Sequence, residues 1–299
     1  MNQYQKSILM LLAMSIGAIF APQVRAVDAF TGEMLAPSLL FAMLFITFCC
    51  VDLRDLKFSM LHIWLILFQL VAGVGSYYLL LPFGEIVAQG VMVCFITPVA
   101  MAAVVIGRLL GGKVVTIATF SMACNIVMAL FIPYFFTQIG GEGCSFALIL
   151  KRVAPLMVLP PFVAQLIRFT IPSITSYLGQ RGYISYYLWL FSLIITVGRT
   201  VTFISANMVN IELSIGITLA LCSLVTCVIQ YRVGRIFGKH YGDPAAAEQS
   251  LGQKNTILAI WMTQTFLSPV ASIAPTAYVI WQNLMNSYKL FKYKKDTNN

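Results

Sequence analysis

Residues Ser250-Leu251-Gly252-Gln253-Lys254-Asn255-Thr256 form a polar cluster inside an otherwise apolar segment. Lys254 is the residue in it that demands an explanation. A charged Lys at the centre of a bilayer costs about 2.5–3.5 kcal/mol on insertion scales, so its amine needs an anion or a set of acceptors. The chain's ten acids are Asp28, Glu33, Asp52, Asp55, Glu85, Glu142, Glu212, Asp243, Glu248 and Asp296, and all map to loops or to the ends of apolar segments. The chemical reading is that Lys254 faces an anionic ligand or fills a place where a cation would otherwise bind; the bland one is a Lys that snorkels. A second interruption is Thr97-Pro98, followed by Val99-Ala100-Met101-Ala102-Ala103, in the middle of another apolar run. Proline removes an amide donor and clashes with the preceding turn. Irregular or polar backbone at membrane depth persists only where it lines a cavity or is buried in protein.

The elements that must position these residues follow from composition. Of 299 residues, 60% are apolar and 10% charged, against about 45–50% and about 25% in soluble domains. The mean hydropathy is +0.87. There is too little polar material to cover a water-soluble particle of this size. A soluble enzyme, a nucleic-acid-binding domain and a disulfide-built secreted domain are therefore excluded. The net charge of +9 does not reopen the nucleic-acid reading, because the basic residues fall between apolar runs rather than in one patch. Cysteines at 49, 50, 94, 124, 144, 222 and 227 suit neither a zinc site nor a disulfide framework. His62 has no partner set for a metal, and no Ser-His-Asp, Cys-His or phosphate-loop pattern appears, so neither an enzyme nor a cofactor is expected.

A helix needs about 20 mostly apolar residues to cross the hydrocarbon. Ten candidates result, at 6–22, 36–51, 59–82, 86–110, 114–136, 145–170, 183–204, 209–231, 246–268 and 271–290. With Lys289, Lys292, Lys294 and Lys295 in the cytoplasm, the inner side also collects Lys6, Arg54, Lys57, Arg108, Lys113, Arg168, Arg181, Arg232, Arg235 and Lys239. The outer half receives Arg25, Lys151, Arg152 and Arg199. That asymmetry follows the positive-inside rule and puts both termini in the cytoplasm. Lys6, an apolar stretch and Val24-Arg25-Ala26 also resemble a cleavable signal peptide, which would leave nine helices; the retained helix is favoured because the alternation then needs no other change. The interrupted segments are fourth and ninth of ten. These are matching places in two halves, 1–140 and 141–299, which would form inverted repeats, and paired interruptions of that kind point to a transporter's binding site.

Ser250 to Ala259 reads S-L-G-Q-K-N-T-I-L-A, followed by Pro269 and by Ala277-Tyr278-Val279-Ile280-Trp281-Gln282-Asn283-Leu284. This resembles the bile acid:sodium symporter family, whose ninth helix carries an acidic residue, then Gly-x-Gln-Asn and Gly-Leu-Ala, and whose tenth helix carries an aromatic, then Trp, a polar residue and Asn. Met122 to Phe136, Lys151 to Pro161, Phe68-Gln69, Thr97-Pro98 and Phe48 to Phe58 resemble other parts of it, so the likeness runs through nearly the whole chain. The resemblance implies an all-α membrane protein of ten helices in two inverted five-helix repeats, with core and panel domains and discontinuous helices 4 and 9 crossing in the core. It implies transport of an organic anion, a bile salt or a small carboxylate. Substrate would lie beside Pro98 and Met101, beside Gln253 and Asn255, and at Gln282 and Asn283.

The departures from the family carry as much. Its ninth-helix acid aligns with Ser250 and its ninth-helix Gln with Lys254, while a Ser-Asn pair after the fourth-helix break falls at Ala103-Val104. Gln69 and Ser121 persist. Alanine and valine offer no side-chain oxygen to sodium, and an ammonium 4 Å away at an effective dielectric near 20 opposes a cation by about 4 kcal/mol. Sodium as a cofactor is therefore doubtful. Lys254 is expected to supply the cation's charge covalently, donating to backbone carbonyls and to Gln69, and helix N-termini beside it would favour an anion. If Lys254 gives up its proton during the cycle, transport could couple to protons. The rivals are a non-transporting binder of the same fold and a conventional sodium symporter with relocated ion sites. Trp64, Trp189, Trp261, Trp281 and Arg199 read as packing or interface anchors before substrate contacts. The expected surroundings are a small organic anion and the bilayer of a bacterial cytoplasmic membrane, with no nucleic acid and oligomeric state left open.

Overall fold

The computed structural model describes residues 3–32, 34–49, 51–100, 102–140, 145–181, 183–206 and 213–298. Among them the chain is helical, with no strand. In order the helices are α1 (Gln3–Ile19), α2 (Ala21–Phe30), α3 (Leu35–Phe48), α4 (Met60–Leu80), α5 (Glu85–Ile96), α6 (Ala102–Leu109), α7 (Val114–Ile139), α8 (Phe146–Thr170), α9 (Pro172–Gln180), α10 (Tyr183–Ala206), α11 (Leu213–His240), α12 (Pro244–Gly252), α13 (Thr256–Phe266) and α14 (Ile273–Asn298). Among the described residues four stretches are long and apolar enough to cross a membrane: α4 with the turn that follows it, α7, α8 and α11. A fifth is α1 with α2, if that pair, bent by 81°, is taken as one span.

The protein is thus a membrane-embedded helical chain, but fewer helices meet the full span criterion than the ten stretches read from the sequence. The physical reasons differ. The stretches 86–110 and 246–268 are each two shorter helices separated by extended backbone, α5–α6 and α12–α13. The first expected span bends at Phe20, where Pro22 enters the first turn of α2. Proline inside a helix does not stop α7, which retains Pro133, or α8, which retains Pro155, Pro160 and Pro161; the donors they remove are tolerated in apolar helices whose neighbours re-satisfy the freed carbonyls.

The chain packs as two compact units. Unit 1 comprises Met1–Asp55, Asn125–Glu212 and Ile260–Ser272; unit 2 comprises Leu56–Cys124, Leu213–Ala259 and Ile273–Asn299. Each draws on residues from both sides of residue 140. In unit 1, α10 packs against α1, α2 and α3, and α3 against α8. Small residues let backbones meet: a Cβ on Gly17 would stand 2.6 Å from Ile194 O. Arg199 does not snorkel as its position at an outer boundary suggested. Its Nε stands 3.3 Å from the Oδ2 of Asp28, a fully buried carboxylate, with Arg25 at 3.7 Å. In unit 2, α11 packs against α12, α14 and α5, and α4 against α5. A Cβ on Gly234 would stand 2.5 Å from Ala247 O, so α11 and α12 touch through backbone. His62 starts α4: its Nδ1 accepts the Ser59 N–H at 2.9 Å, which leaves Nε2 as the donor to Thr116 O at 3.1 Å on α7.

Candidate functional site

The site lies in unit 2, where the two interrupted helices meet. Thr97 leaves the helical region with φ −59° and ψ 134°, as a residue before proline is pushed to do, so α5 stops there. Gln253, with φ −92° and ψ 96°, ends α12 in the same way without a proline. The two extended pieces run antiparallel, with Val99 opposite Lys254. Ala100 N donates to Gln253 O at 2.8 Å, and Asn255 N donates to Pro98 O at 2.9 Å. Two breaks far apart in sequence satisfy each other's backbone, which is what permits them at depth.

An α-helix ends with carbonyls that have no partner within it. At the end of α5 every one from Cys94 to Thr97 receives a side-chain donor. Gln230 Nε2 donates to Cys94 O at 3.1 Å, and Lys254 Nζ donates to Phe95 O at 2.9 Å. Gln69 Nε2 donates to both Ile96 O and Thr97 O, at 3.0 and 2.8 Å. Lys254 is 1% exposed and Gln69 and Gln230 are fully buried. The amine therefore sits on the negative end of the α5 dipole, where a cation is favoured. Among the described residues no carboxylate pairs with it. Lys254 was expected to donate to Gln69; instead the two side chains serve adjacent carbonyls of the same helix end.

The backbone of Lys254 is fixed as well. Its N–H donates to Gln282 Oε1 at 2.9 Å. Tyr278, Gln282 and Asn286 are spaced by four on α14 and so share a face. Tyr278 Oη donates to Gly252 O at 2.9 Å, capping α12. Asn286 Oδ1 accepts Tyr231 Oη at 2.9 Å and Gln249 Nε2 at 3.0 Å, and its Nδ2 donates to Gln253 Oε1. Farther along α14, Lys289 pairs with Glu248, a buried acid that Arg235 also reaches at 3.1 Å. This network of Tyr231, Tyr278, Asn286, Gln230 and Gln249 escaped the sequence reading. The four-residue spacing of Tyr278, Gln282 and Asn286, and of Gln249 and Gln253, is the signal that would have found it.

The remaining expected residues fall into place unevenly. Pro98 is buried and accepts from Asn255. Asn255 starts α13, its Oδ1 accepting Leu258 N–H at 3.3 Å. Gln253 turns its side chain to Tyr231 and Asn286. Asn283 lies off the shared face of α14 and donates to Val279 O on its own helix at 2.7 Å. Ser250 and Ser121 are fully buried. Met101 lies outside the described residues, as do Cys50 and Cys144. Trp281 donates to Ala220 O and Ser223 Oγ on α11, a packing contact. Four buried oxygens near the breaks, Ser250 Oγ, Thr256 Oγ1, Gln249 Oε1 and Gln230 Oε1, have no hydrogen-bond partner among the described residues. Gln69 Oε1 accepts the Cys124 thiol at 3.5 Å. The arrangement can hold the Lys254 amine on a helix end, while in the first turn of α13 the Thr256 amide donates to Lys254 O and the Leu258 amide to Asn255 Oδ1, and at the start of α6 the Ala103 amide donates to Ala100 O.

No family model matches the sequence, and a search of curated proteins returns no significant match.

Proposed function

We propose that the protein is a secondary active transporter of an organic anion, bile-salt-like or a small carboxylate, that works by alternating access with Lys254 in the role of a bound cation. The observation that carries this reading is the seat of the Lys254 amine: buried, without a carboxylate partner among the described residues, and bonded to Phe95 O at the end of α5. A sodium ion at such a helix end would need oxygen ligands and would bring one positive charge; the lysine brings the charge with its own tether. The reading includes the likeness to the bile acid:sodium symporter family, ten membrane crossings in two inverted repeats, and both termini on the cytoplasmic side of a cell membrane. Anion selectivity would come from the positive charge of Lys254 at the crossing.

The functional test is flux. Purified protein in proteoliposomes is offered labelled bile salts and a panel of small carboxylates. The reading expects uptake that saturates and that falls at least tenfold in Lys254→Gln. Saturable binding without uptake would instead make the protein a non-transporting binder, and uptake that is unchanged in Lys254→Gln would remove the lysine from the mechanism.

A further inference from the structure

Unit 1 contains a pocket of about 500 Å³ at the end of α8, remote in chemistry from the crossing. Cys49, Arg54, Arg168, Thr175, Ser176 and Gln180 line it. α8 is apolar and long enough to cross a membrane, and Arg168 lies in its last turn. The end of such a helix stands at headgroup depth.

The charges there are arranged rather than scattered. Arg168 is anchored by its Nη2, which donates to Cys49 O at 2.7 Å, and its Nη1 stands 3.6 Å from Asp52. Arg54 grips the same carboxylate through Nε and Nη2, at 3.2 and 3.0 Å, and its Nη1 has no partner among the described residues. Asp55 shares the short turn of Arg54 and tempers it. Arg181, next to Gln180, stacks on Tyr177 at 3.6 Å. Two guanidinium groups thus meet at the Asp52 carboxylate, with the exposed hydroxyl of Ser176 and amide of Gln180 uncommitted among the described residues.

The flank of the pocket is apolar. Phe162, Leu166 and Phe169 are exposed by 62%, 52% and 69% and, spaced by four and three, share one face of α8, at whose end the Arg54 guanidinium lies 5.9 Å from the centre of the Phe169 ring. Ile171 and Ile174 continue that exposed surface. A free anion has no use for such a strip, whereas a lipid has.

We infer that this pocket binds the phosphate of an anionic phospholipid, with Arg54 and Arg168 on the phosphate, Ser176 and Gln180 on the rest of the headgroup, and acyl chains along Phe162, Leu166 and Phe169. Basic pockets beside membrane helices take headgroups in this way. The assignment is independent of what the crossing transports.

Native mass spectrometry of the full chain in detergent tests it, with phosphatidylglycerol, phosphatidylcholine of the same acyl chains, and inorganic phosphate as separate additions. Arg168→Ala would also lose the bond to Cys49 O, so the exposed Arg54→Ala and the pocket-filling Ser176→Phe carry the test, with Lys239→Ala as an exposed basic control. The expected result is about tenfold greater retention of phosphatidylglycerol than phosphatidylcholine, abolished in Arg54→Ala and in Ser176→Phe and kept in Lys239→Ala. Equal retention of the two lipids, or wild-type retention in both pocket variants, would overturn the site. Binding of inorganic phosphate without preferential retention of phosphatidylglycerol would overturn its assignment to lipid.

Discussion

The buried Lys254 amine is held by a backbone carbonyl, with no carboxylate beside it among the described residues. The carbonyl it meets belongs to a helix end whose dipole already favours a cation, and the neighbouring carbonyls are taken by Gln69 and Gln230. Gln282 holds the lysine's backbone, so Gln282→Leu would leave a buried N–H without an acceptor. That substitution is expected to destabilise by about 1–3 kcal/mol, read as a lower melting temperature in detergent. Asn283→Ala, one residue away, loses only a bond within its own helix and is expected to change stability by about 0.5 kcal/mol or less. Lys254 was legible in the sequence because a charge in an apolar segment is an anomaly that needs no partner to be noticed. Its acceptor was not legible, since the break at Thr97 and the lysine meet only through the fold. Arg199 shows the same limit: read alone it is an interface residue, and only packing brings it to Asp28.

At the scale of elements, the break after α5 could be read from Pro98, and the one after α12 from a polar run with no proline. The bend between α1 and α2 was missed, because Pro22 sits at a helix start where proline is tolerated. Close helix contacts are equally hidden until glycines acquire neighbours. Gly234→Ala would place a Cβ 2.5 Å from Ala247 O, and the backbone cannot yield as a side-chain tip can; a loss of about 1–3 kcal/mol is expected. Gly216→Ala lies on the same helix with open space around it, and should be neutral or stabilising by up to about 1 kcal/mol. The connection between α3 and α4 has its own signature. The side-chain bond from Arg54, above all, holds the Asp52 carboxyl down from 3.8 to about 2. A depressed carboxyl stabilises the fold above its unfolded value and loses that contribution as pH falls through its folded one. Wild type and Asp52→Asn should therefore differ in melting temperature at pH 5 and converge as pH falls from 3.8 toward 2.

For the whole molecule, composition carried the membrane reading: 60% apolar residues with 10% charged ones match a helical chain with several helices apolar enough to cross a membrane. The way the chain divides was not accessible from it, because each unit is assembled from three separated segments and packing of that kind has no local signature. Orientation is testable directly. A cysteine replacing Lys292 in the tail should react with an impermeant maleimide only after the membrane is opened. Labelling in intact cells would invert the proposed topology. The central claim, that a tethered ammonium does the work of a metal ion, is met most directly by measuring substrate uptake into proteoliposomes with all sodium replaced by choline, over several pH values. The account predicts uptake at the rate seen in sodium; a strict requirement for sodium would contradict it.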